Sequence, residues 1–91
     1  MIDYLKVDLE PKYIQVVSEP YVVFTVRGYA PVIDIIERKS RHATALFISA
    51  KSLAQPLEML KKENGDLFSG LEFWIRKASD GRTAPYILEE G

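Results

Sequence analysis

The stretch PVIDIIERK, Pro31–Lys39, decides the fold of this chain. Val32, Ile33, Ile35 and Ile36 put four β-branched residues into five positions, the composition a pleated surface favours. The same apolar spacing fits a helix opened by Pro31, which needs no amide partner in a first turn. Strand is the favoured reading, because a second β-rich run follows directly. A helix here would instead make the chain an open α+β sheet, with Asp34 and Glu37 on one face.

On the C-terminal side, His42–Ser49 alternates Thr44, Leu46 and Ile48 with Ala43, Ala45 and Phe47, so it reads as a strand after a turn at Lys39–Arg41. A helix follows, with Ser52 and Gln55 at capping-box spacing or Pro56 as the first helical residue. Leu53, Leu57, Leu60 and Met59 supply its apolar stripe, and Lys61, Lys62 and Asn64–Gly65 its end. Leu71, Phe73 and Ile75 then alternate with Glu72, Trp74 and Arg76. Asp80–Gly81 signals a hairpin, and Thr83–Leu88 returns as the last strand before a polar tail.

On the N-terminal side, residues 21–29 read as one strand, with Val22, Phe24 and Val26 on one face and Thr25, Arg27 and Tyr29 on the other. Gly28 marks a bend in its tail. Leu5, Val7 and Leu9 alternate with Lys6 and Asp8 as a half-buried strand would, and Pro11 ends that run. Residues 14–17 fit a short strand or part of an extended arm.

The chain has 91 residues, 47% of them apolar, enough for one domain with a modest core. Twelve Lys and Arg nearly balance thirteen Asp and Glu, which argues against disorder. No apolar run is long enough to cross a bilayer, and the charged first residues do not resemble a secretory signal, so a cytoplasmic location is expected. The absence of cysteine excludes disulfides and thiolate metal sites.

The net charge of −1 is unfavourable for binding phosphates, but the charge is unevenly placed. Residues 38–51 carry four bases (Arg38, Lys39, Arg41, Lys51) and no acid. His42, the single histidine, sits in this stretch. No cysteine nucleophile, glycine-rich phosphate loop or metal-ligand spacing is present, so the chain is expected to be no enzyme and to need no cofactor.

From residue 20 onward, YVVFTVRGY, VIDIIERKSRHATALFIS, SLAQPLEMLKKENG and GLEFWIRKASDGRTAPYILEE give strand, strand, strand, helix, strand, strand. That order resembles an OB-fold, a five-stranded Greek-key barrel with its helix between strands three and four. The resemblance is one of pattern. It implies a single domain over 1–91, with the barrel in 20–89 and residues 1–19 as an extra strand or arm. It further implies an oligonucleotide site on residues 31–49, with rims at Gly28-Tyr29-Ala30 and Ser79-Asp80-Gly81-Arg82. Cations that track a backbone and rings that stack bases are what a single strand requires. The expected contacts are Arg27, Tyr29, Arg38, Lys39, Arg41, His42, Phe47, Trp74, Arg76 and Arg82, with DNA favoured over RNA. The alternative is an assembly subunit that forms a homodimer through residues 1–19 or an edge strand, with no nucleic-acid role.

Overall fold

The structure, a computed structural model, describes residues 3–81 and 84–90. Its elements are β1 (Lys12–Val16), β2 (Tyr21–Thr25), β3 (Gly28–Glu37), β4 (Ala43–Phe47), α1 (Lys51–Glu63), β5 (Glu72–Lys77) and β6 (Tyr86–Glu90). Pro31–Glu37 is strand, as its β-branched residues favour, and lies within the longest strand of the sheet.

All six strands join one antiparallel sheet. β3 is its spine. Val32 pairs with both Tyr21 and Phe47, and Ile35 with both Val16 and Thr44, so β4 takes one edge of β3 while β2 and β1 share the other end to end. β1 and β2 are therefore two halves of one broken strand. At the break, four residues (17–20) oppose two (33 and 34) of β3. Ser18 Oγ accepts the Asp34 N–H at 2.9 Å there, standing in for the missing backbone acceptor. Pro20 has no N–H to add.

Several local expectations change. Residues 12–16 are not an addition at the rim: β1 lies between β3 and β5, paired on both edges, so it cannot pair with a second copy. Residues 21–29 are not one strand, because the chain reverses at Val26–Arg27. The turn residues are ordinary β formers, and the reversal is made by Gly28 at φ +107° and by Thr25, whose hydroxyl donates to Gly28 O. Gly28, Tyr29 and Ala30 thus open β3 rather than form a loop, and Tyr29 faces the same side as Phe24. The last strand spans Tyr86–Glu90, so Glu89 and Glu90 belong to the sheet.

The helix starts at Lys51 with Ala50 as its N-cap and no side-chain cap. Ser52 instead accepts the Tyr86 N–H at 3.1 Å, fastening α1 to β6. Pro56 is inside the helix rather than at its start. Leu53 and Leu57 bury fully and Met59 faces out, 70% exposed. The core lies between α1 and the inner sheet face, built on Ile14, Val16, Ile33, Ile35, Leu46, Phe73 and Ile75.

The sheet is not closed into a barrel. At β4 the free edge is taken by the N-terminal arm, where Leu5 N donates to Ala45 O and Ala45 N to Asp3 O. A single parallel bridge at Tyr4 replaces the strand expected over 5–9. The arm then runs to the end of β5, where Lys77 N donates to Asp8 O, with Leu5 and Val7 against the core.

Candidate nucleic-acid interface

The register fixes which side chains share the outer face. Ile14, Val16, Phe73 and Ile75 point into the core, so Tyr13, Gln15, Glu72, Trp74 and Arg76 point out. Arg38 N donates to Tyr13 O, Tyr13 pairs with Trp74, and Trp74 with Glu89. Tyr13, Trp74 and Glu89 therefore form one row across three strands, continued by Arg38 just past the end of β3. Ile36, Gln15 and Glu72 form the next row, and Arg76 with Ile87 lies on the other side.

Within that face the Tyr13 and Trp74 rings stand 5.1 Å apart, tilted by 46°. Two shallow hollows flank them. One, of about 290 Å³, is lined by Pro11, Trp74, Arg76, Ile87 and Glu89. The other, of about 370 Å³, is lined by Gln15, Ile36, Arg38 and Arg41. An aromatic ridge thus separates two hollows, each bordered by guanidinium groups.

The cations are partly engaged. Arg38 bonds Glu72 at 3.1 Å and Gln15 Oε1 at 3.0 Å, and Arg76 lies 3.5 Å from Glu89. Both pairs are solvent-accessible, where such contacts stabilise by no more than about 1 kcal/mol and are readily exchanged. Among the described residues, Lys39 and Arg41 have no carboxylate within ion-pairing distance. Tyr13 donates to Glu72 at 3.1 Å, and its phenol is pushed up by desolvation and then by that bond.

The sequence-derived residues divide into groups. Arg38, Arg41, Trp74 and Arg76 come together on the outer face of β1 and β5. Lys39 sits in the turn beside them, exposed. Phe47 points outward as expected but is not open, since Tyr4 of the arm stacks on it at 4.4 Å and 23°. His42 lies 3.9 Å from Asp3, on the same covered side. Arg27 and Tyr29 belong to the β2–β3 hairpin, and Tyr29 is on the opposite sheet face from Trp74. Arg82 lies outside the described residues. Tyr13 and Gln15 were missed, although the inward alternation of Ile14 and Val16 marks both as outward-facing.

The β3–β4 face also carries acid. Asp34 accepts the Tyr21 hydroxyl at 2.5 Å. That bond, then burial and the Asp34 charge, push the Tyr21 phenol up to about 12. The folded state thus holds this proton more tightly than the unfolded chain. The bond's contribution is complete below the ordinary tyrosine value near 10 and fades as pH rises from there through 12. Tyr21→Phe is expected to cost about 1 kcal/mol at neutral pH, and less as the phenol ionises. Urea unfolding of both proteins across that range measures it.

Among the described residues, no group of three or more His, Asp or Glu side chains is placed to hold a metal ion, and no helix is long and apolar enough to cross a membrane. Compared with known proteins, the chain matches no family model, no curated protein and no solved structure.

Proposed function

We propose that this chain is a non-catalytic, OB-like module that binds single-stranded nucleic acid across the outer face of β1 and β5. The observation that carries the reading is the Tyr13–Trp74 ridge with Arg38 and Arg41 on one side and Arg76 on the other. A single strand presents flat bases and a regularly charged backbone, and stacking on aromatic side chains is worth about 1–3 kcal/mol per base. The spacing of ring between cations suits that alternation.

The connectivity supports the OB-like part. One long bent strand (β1 with β2), a meander through β3 and β4, a helix, and a return through β5 beside β1 follow the order of that architecture. The proposed face differs from the one expected on residues 31–49, because the arm occupies that side, with Tyr4 stacked on Phe47.

Arg41 adds a second support. Its backbone is left-handed, at φ 58°, a conformation that costs a non-glycine residue about 1–2 kcal/mol. Glycine would suit this turn better but would remove the guanidinium beside Arg38. Arg41→Gly is expected to stabilise the fold by about 0.5–1 kcal/mol, after allowing for glycine's looser unfolded chain. It should weaken oligonucleotide binding at the same time. Denaturant midpoints and gel shifts on the same samples test the opposite signs.

Trp74 is the single tryptophan and is 42% exposed, so it reports directly on its own surface. Titration with oligo-dT or poly-U at low salt should quench or shift its emission. Unchanged emission together with no gel shift overturns the reading.

A further inference from the structure

We propose that two copies of this chain pair edge to edge along β2, through the β2–β3 hairpin. This is independent of the nucleic-acid reading, since it uses a different surface. The hairpin stands apart from the body: among the described residues, β2 packs against β3 and no other element. Val22, Phe24, Val26 and Tyr29 are 62%, 75%, 103% and 78% exposed. Together they expose roughly 600 Å² of mostly apolar surface per copy, part of it beside the free edge where a second copy would cover it.

The backbone points to the same partner. Among the described residues, β2 is hydrogen-bonded on one side alone. A two-residue hairpin turn is closed by a hydrogen-bonded pair, here Thr25 with Gly28, so Tyr21, Val23 and Thr25 direct their amides at β3. Val22 and Phe24 then direct theirs outward. An antiparallel two-fold pairing centred on Val23 places Val22 against the second copy's Phe24, and this joins outward-facing amides on both strands. It also sets those two apolar side chains side by side. Pro20, without an N–H, ends the ladder at each end.

Charge does not oppose the pairing. Residues 20–26 carry no charge, so it meets no like-charge contact. A natural edge strand is usually blunted by inward charge or lysine, and β2 has neither.

Sedimentation of the full chain from micromolar to hundreds of micromolar concentration tests this. The wild type should form a dimer, and Val22→Lys/Phe24→Lys should weaken it by roughly 100-fold or more. Both side chains are exposed, so circular dichroism of the variant should match the wild type. Amide exchange of the wild type gives a second reading, with Val22 and Phe24 protected at concentrations where the dimer forms and unprotected on dilution. A wild-type monomer at every concentration overturns the proposal. So does a dimer that leaves those two amides unprotected, or one that persists unchanged in the folded variant.

Discussion

Replacing Arg38, Arg41 and Arg76 together by glutamate is expected to weaken oligonucleotide binding by roughly 100-fold or more, while Lys61→Glu/Lys62→Glu changes it little. The three arginines border the Tyr13–Trp74 ridge, whereas Lys61 and Lys62 lie in the last turn of α1. Each phosphate neutralised on a single strand contributes a salt slope of about −0.7, so three contacts imply roughly a 20-fold loss between 50 and 200 mM salt. That slope should nearly vanish in the triple variant. The opposite change is informative too. Glu72→Gln frees Arg38 from its 3.1 Å partner and should tighten binding several-fold. A Glu72→Gln protein that binds more weakly would mean that Arg38 acts only through Glu72. Anisotropy of a labelled oligonucleotide measures all four proteins.

The second large effect is on the fold. Phe73→Ala is expected to cost about 3–5 kcal/mol, a large share of the 5–15 kcal/mol that a small domain holds in total. Phe73 is fully buried, paired with Ile14 across the centre of the sheet. No neighbour can collapse easily into the space, because Ile14, Ile33, Ile35 and Ile75 are themselves fixed in strands. Phe24→Ala removes the same side chain from an exposed hairpin and should stay within about 0.5 kcal/mol in the monomer. Thermal unfolding of dilute samples distinguishes the two, with a fall in Tm of more than about 12 °C for Phe73→Ala alone.

Alternation carried much of this in the sequence. Phe73 and Ile75 between Glu72, Trp74 and Arg76 fixed both the core face and the outer pair, since strand side chains alternate whatever the neighbours. The helix was legible from Leu53 and Leu57 and from its lysine-rich end. The four β-branched residues of 32–36 indicated a strand for the same reason that a helix would crowd them.

What was not legible depends on contacts between distant residues. Five residues at 12–16 look alike as an arm or as a central strand, and the choice is made by pairing with β3 and β5. The hairpin turn was hidden because Val26 extends a β-rich run, and only Gly28 after it signals the reversal. Alternation puts Phe47 on its outward face, but no local pattern shows that Tyr4, far away in sequence, covers it. Arg38 likewise finds Glu72 across 34 positions.

The double pairing of β3 has a consequence for how the molecule opens. Residues 32–36 are laced to β4 on one side, and most of them to β1 or β2 on the other, while the first three residues of the same strand, among the described residues, are held by β2 alone. One continuous strand therefore runs through two units of unequal stability. The hairpin end can fray and reclose while the laced segment stays shut, so its breathing is decoupled from global unfolding. A second copy seated on β2 would remove that weaker tier, extending the slow-opening region outward along the strand without any change in the core.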